Sequence, residues 1–186
     1  MRIIFLLLLP VALIQAKPTY WNQFRGPNGD GDAQNSQLPV QFSETENLTW
    51  KTPISGKAWS SPVVKDGKVW ITNAEEDGYK MWAIQLDWKT GKQIKKVLVF
   101  ENKEPQFCHP MNSYATPTPV IEGELVFVHF GTHGTAALDL KSGIKIWERR
   151  DFKCDHFRGA AASPITHKEN VIIHFDGHDL QYIVCL

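Results

Sequence analysis

Hydrophobic residues along this chain come in short runs, and no window repeats with a helical period. Val69-Trp70-Ile71-Thr72, Leu125-Val126-Phe127-Val128 and Val171-Ile172-Ile173-His174 are β-branched or aromatic stretches too brief for a helix, and they read as strands. Each follows another apolar run that opens on a hydroxyl residue and a proline: Ser61-Pro62-Val63-Val64, Thr118-Pro119-Val120-Ile121 and Ser163-Pro164-Ile165-Thr166. In the first two copies Asp66-Gly67 and Glu122-Gly123 separate the paired runs, a turn signal because Gly tolerates positive φ; the third has His167 to Asn170 there. A third run follows in each copy, at Met81 to Leu86, Thr135 to Leu138 and Gln181 to Leu186. A fourth follows twice, at Gln93 to Phe100 and Ile144 to Arg149. The predicted unit is therefore four short antiparallel strands.

The unit recurs after 57 and then 45 residues, at Pro62, Pro119 and Pro164. Four-stranded units of about 40–50 residues are the signature of a β-propeller. The fold class expected is all-β, with blades at about 59–100, 114–150 and 160–186, the last cut short. A strap over 17–47 precedes them, and Leu48-Thr49-Trp50-Lys51 reads as the outermost strand of a blade completed from elsewhere. Propellers close with four to eight blades. Three blades are an incomplete ring, so the expectation is an N-terminal fragment of a protein with seven or eight.

Two repeats share a turn, Asp87-Trp88-Lys89-Thr90-Gly91-Lys92 and Asp139-Leu140-Lys141-Ser142-Gly143-Ile144. The Asp side chain accepts amide hydrogen bonds inside such a turn, and the Gly takes the left-handed position. The stretch from Ala137 through Asp139, Ser142 and Gly143 to Trp147 resembles the tryptophan-docking motif of pyrroloquinoline-quinone (PQQ)-type propeller repeats. That resemblance implies that Trp147 wedges between adjacent blades. The first copy departs from the pattern, with Gln85 in place of Ala and Lys95 in place of Trp, which implies a weaker blade contact. Trp21 to Gly31 resembles the N-terminal signature of exported proteins with these repeats, and Trp59-Ser60-Ser61-Pro62, Asn112 to Pro119 and Ala161-Ala162-Ser163-Pro164 resemble blade openings.

Composition sets the outer limits. Lys plus Arg and Asp plus Glu are 20 each, so the formal net charge is zero, which argues against a nucleic-acid binder or a polybasic membrane-surface protein. Hydrophobic residues at 42% and charged residues at 22% describe a globular chain. Met1-Arg2, the apolar run to Ile14 and the small Ala16 read as a signal peptide over 1–16, too short for a comfortable membrane span. No Cys lies beside Ala16 to carry a lipid anchor, so the expected address is secreted or periplasmic, with no transmembrane segment after signal removal.

Candidate chemistry is sparse. Cys108, Cys154 and Cys185 form no CxxC pair and have no zinc spacing; a Cys108–Cys154 disulfide and buried free thiols are both open readings. Asn47-Leu48-Thr49 fits N-glycosylation in a eukaryotic source. Asn28 to Asp32 alternates oxygen ligands, but Ala33 and Pro39 stand where a calcium loop needs Gly and Glu. Ser61 and Ser163 lie in no GxSxG and read as structural. The set Trp50, Trp59, Trp70, Trp82 and Trp147 reads as core and blade packing. No catalytic or metal residue is assigned. His109, His156, Arg158 and Asp176 lie in loops expected at the funnel face, where ligands meet a propeller.

The resemblance implies one of two functions. The first is a non-catalytic binding or scaffold protein with no cofactor and with protein or envelope partners, like the relatives that assist outer-membrane barrel assembly. The second is a PQQ-dependent alcohol or sugar dehydrogenase, which would need PQQ and Ca2+ and sites beyond these residues. A sugar- or polymer-binding module is a third class. The remaining blades of the full-length chain are themselves expected partners.

Overall fold

Three hairpins start the three sheets, each turning on two residues whose first has positive φ: Asp66 at 50°, Gly123 at 56° and Lys168 at 56°. The computed structural model describes residues 20–33 and 38–186; the expected signal peptide and parts of the strap lie outside them. The first sheet contains β1 (Val63–Lys65), β2 (Lys68–Ala74), β3 (Lys80–Asp87) and β4 (Gln93–Glu101), paired antiparallel in that order. The second repeats it with β5 (Val120–Glu122), β6 (Leu125–His129), β7 (Thr135–Asp139) and β8 (Lys145–Arg149). The third has β9 (Ile165–His167), β10 (Asn170–Asp176) and β11 (Gln181–Cys185). There is no α-helix among the described residues, and the single 3-10 turn is Gly131–His133.

The stability lies between sheets. Val63, Trp70, Met81 and Phe100 of the first sheet pack on Ile121, Val126, Phe130 and Leu138 of the second. Val120, Phe127 and Ala137 on the second sheet's other face pack on Val171, Ile173 and Phe175 of the third. Each fully buried large side chain contributes about 1.5–3 kcal/mol by leaving water, so face-to-face stacking of neighbouring sheets holds the arc together.

The shared turns set the spacing between blades. Asp87 Oδ1 accepts from the Lys89 amide (3.1 Å), the Thr90 amide (2.9 Å) and Thr90 Oγ1 (2.9 Å). Asp139 Oδ1 accepts from the Ser142 amide (2.6 Å) and hydroxyl (2.5 Å). Gly91 (φ 68°) then presents bare backbone to Trp50: a Cβ there would stand 2.4 Å from the indole, whose Nε1 donates to Trp88 O at 2.8 Å. Gly143 (φ 76°) meets Lys95 and Val97 of β4 in the same way. Lys95 thus takes with its aliphatic stem the place that the motif gives to Trp. Gln85, the other departure, reaches across to Leu140 O at 3.2 Å and adds a bond between blades. Trp147 packs beside Phe127 (centroids 5.9 Å) in the core joining the second and third sheets.

Leu48 to Lys51 runs without a ladder among the described residues and delivers Trp50 to the Gly91 turn. One sequence expectation is corrected. Trp59 is not core: it is 49% exposed, whereas Trp70 is fully buried.

Candidate binding site

Antiparallel order puts all long loops at one end of the sheets. The connections 102–119 and 150–164, with the β10–β11 turn 177–180, gather there, and the Asp87 and Asp139 turns lie at the other end. The strap enters along the inner edges. Trp21 pairs with Val64 through both backbone bonds (2.8 and 2.7 Å), and Asn22 O accepts from the Ile121 amide at 2.7 Å while its Nδ2 donates back to Ile121 O at 3.1 Å. One extended segment therefore bridges the innermost strands of two blades.

Beside it lies a cavity of about 520 Å³ that touches all three blades and the strap. Its wall carries a ladder of hydroxyls. The Ser61 amide donates to Thr118 Oγ1 (3.0 Å), and the Thr118 amide donates to Ser163 Oγ (3.0 Å). The hydroxyl repeated before each proline thus latches one blade to the next. This agrees with the structural reading of Ser61 and Ser163. Phe24 and Trp59, about half exposed, and Arg25 complete the wall. Sequence reasoning missed Arg25 and read Trp59 as packing; the signal that could have found Arg25 was its pairing with the aromatic Phe24 in a Gly-rich strap.

Of the four expected funnel-face residues, two meet. His156 Nδ1 stands 3.3 Å from Asp176 Oδ1, and its Nε2 is 3.1 Å from Cys154 Sγ. Burial pushes the Cys154 thiol up to about 11, with Asp179 and Asp176 adding to the rise, so the thiol keeps its proton and donates it to His156. Burial likewise lowers His156, opposed by Asp176. Nucleophile, base and orienting carboxylate are connected here as in a thiol enzyme. The chemistry does not follow, because Cys154 is 4% exposed, its thiolate is disfavoured, and it does not line the cavities of about 390, 450, 510, 520 and 710 Å³ among the described residues. A Cβ on Gly177 would stand 2.5 Å from that of Cys154, so the packing is close. All three cysteines are free: Cys108 faces Arg158 O and Gly159, while Cys154 faces His156 and Gly177, which leaves the disulfide reading unformed.

His109 and Arg158 serve elsewhere. His109 Nδ1 accepts from the Met111 amide at 3.1 Å within its own loop. The Arg158 side chain is exposed, and its carbonyl accepts from Asn112 Nδ2 at 2.8 Å. Gln106 ties these loops together. Its amide donates to His133 Nε2 (3.1 Å), its Nε2 to Cys154 O (3.2 Å), and its Oε1 accepts from the His156 amide (2.9 Å). Beyond that hub the loops expose Phe107, Phe157 and Met111, with the two Phe rings 5.6 Å apart. Among the described residues no group of three or more His, Cys, Asp or Glu is arranged to hold a metal ion.

Tandem antiparallel blades, docked through Asp–Gly turns and joined at their inner edges, define a β-propeller protein of the PQQ-like repeat class. The family model described as outer membrane protein assembly factor BamB matches residues 40–173, and the chain belongs to that family. No curated protein matches it. Among solved structures it is similar to the quinohemoprotein alcohol dehydrogenase of Comamonas testosteroni (TM-score 0.50, 19% identity, 70% of this chain and 19% of that one). It is also similar to the quinohemoprotein alcohol dehydrogenase ADHIIG of Pseudomonas putida HK5 (TM-score 0.50, 18% identity, 73% of this chain and 20% of that one). BamB from Moraxella catarrhalis aligns at TM-score 0.46 and 18% identity, over 68% of this chain and 33% of that one. The chain therefore spans about a fifth of the dehydrogenases' length and a third of BamB's, and at these identities the likeness bears on fold alone.

Proposed function

We propose that this is an exported, non-catalytic propeller protein that binds a protein partner of the cell envelope through the loop end of its blades. The observation that carries the reading is the exposed Phe107–Phe157 pair with Met111, held on loops that Gln106 locks in place. Large exposed apolar clusters on an ordered scaffold mark interaction sites. Membership of the BamB family supports a scaffold role. Among the described residues no three or more His, Cys, Asp or Glu are arranged to hold a calcium ion, and the thiol–imidazole–carboxylate chain at Cys154 is closed to substrate.

The test places a photo-crosslinking amino acid at Phe107 or Phe157 in the native host. Both positions are expected to trap the same envelope protein, and the double substitution F107S/F157S to lose co-purification of that protein. Saturable loading of the purified protein with PQQ and Ca2+, followed by dye-linked oxidation of alcohols, overturns the reading in favour of a dehydrogenase.

A further inference from the structure

The cavity between the strap and the blade openings has a composition that the docking reading does not use. We infer that it binds a carboxylated sugar, a pyranose of the uronate type, an inference that rests on the chain being a binding protein rather than an enzyme. Four observations converge on that chemistry.

The wall holds two aromatic platforms, Phe24 and Trp59, that are 51% and 49% exposed although each lies inside a concave site. A half-exposed aromatic in a concave wall presents an apolar face to whatever enters, and the C–H face of a sugar ring fits such a face. The hydroxyl ladder has spare donors. Thr118 Oγ1 and Ser163 Oγ each accept an amide hydrogen, but neither hydroxyl hydrogen, nor that of Ser61, has an acceptor among the described residues. A hydroxyl can accept and donate at once, so the wall offers three O–H groups at blade-to-blade spacing to a ligand rich in oxygens. Arg25 supplies the charge. Its Nη2 donates to Asp30 O at 3.0 Å, which leaves the rest of the guanidinium fork for a carboxylate, and no acidic side chain lines the cavity. Finally, Arg25 sits at φ 63°, a left-handed conformation that costs a non-glycine residue about 1 kcal/mol or more, and the Gly31 amide bonded to its carbonyl (2.9 Å) holds it there. The volume, about 520 Å³, suits one or two sugar rings.

Isothermal titration of the whole protein with sodium oligogalacturonate, a neutral maltooligosaccharide and PQQ distinguishes the outcomes. The expected result is saturable binding of the oligogalacturonate, weakened at least tenfold in Trp59→Ala. Arg25→Met is expected to erase the preference for the acidic over the neutral sugar without changing the far-ultraviolet circular dichroism or the melting temperature by more than a few degrees. Absence of saturable binding to oligogalacturonate, or binding unchanged in both variants, overturns the inference. So does PQQ binding that excludes the sugar. Failure of the sugar titration with intact crosslinks at Phe107 and Phe157 removes this inference alone and leaves the docking reading standing.

Discussion

At the scale of single residues, the loop end rests on histidines that must stay neutral. His129 is fully buried, with Nδ1 2.8 Å from Thr135 Oγ1 and Nε2 without a partner; burial first, and then His156, brings it down to about 3. His133 uses both nitrogens, Nδ1 toward Phe130 O and Nε2 as acceptor of the Gln106 amide, and burial brings it down to about 4. Both folded values lie below the unfolded one, so the unfolded chain binds more protons between them. The stability these residues contribute is complete above about pH 6.5 and drains away as pH falls toward 4 and 3. Urea titrations at pH 7 and 4.5 are expected to show a loss of about 2–3 kcal/mol attributable to His129. In His129→Gln the slope of stability against pH over that interval should flatten. An unchanged slope would mean that the imidazole is not the titrating group. None of this was legible in the sequence: His129 ends a strand in a local pattern that says nothing about which face a neighbouring sheet will cover.

At the scale of elements, the docking turn is where local chemistry and tertiary contact coincide. Asp87 and Asp139 have their carboxyls held below the usual range, first by the Thr90 and Ser142 hydroxyls and then by the amides of the same residues. That much follows from Asp-x-x-Thr/Ser-Gly alone. What rests on Gly91 does not follow, because Trp50 lies 41 positions upstream and arrives from a loop rather than a strand. Gly91→Ala is expected to lower stability by about 2–3 kcal/mol, from strain at positive φ and a clash with the indole. Trp50→Ala should cost a comparable amount by uncovering the small buried cluster of Val69, Ile84 and Leu86, against which the indole packs. Because one contact is shared, the double variant should be less destabilised than the sum, as read in a double-mutant cycle by chemical denaturation. Simple additivity would show that the two do not touch. The strand runs themselves matched the expected runs to within one or two residues at their ends. Period-2 patterning and Gly or Asp turns act over a few residues, so they can be read from a few residues.

At the scale of the whole molecule, the three sheets stack through two cores, and the outermost faces keep apolar side chains in water. On the outer face of the third sheet Ile165 and Ile183 are 49% and 68% exposed, while on its inner side, against the second sheet, Trp147, Phe127, Val171 and Leu186 line an open cavity of about 390 Å³. Trp50 sits on Gly91 and Lys95 on Gly143, so Trp147 faces this cavity by the same logic of succession. Exposed apolar side chains such as Ile165 and Ile183, side by side on one uncovered sheet face, favour association. The 186-residue polypeptide at micromolar concentration is expected to exceed monomer mass in light scattering, and I165K/I183K to return it toward the monomer. A monodisperse wild-type monomer would contradict the expectation.

The amino-acid order by itself determined that there are three strand-rich repeats, where their hairpins turn, and that Asp–Gly turns close them, because hydrogen-bonding turns and alternating burial are decided between near neighbours. Only the packed structure decided that a strap residue, an exposed tryptophan and three hydroxyls from three blades would share one cavity, and that Cys154, His156 and Asp176 would join into a closed chain. Arg25 and Ser163 lie far apart in sequence, and no short-range rule brings them together. It takes the burial of Trp70, Phe127 and Phe175 between sheets to do so.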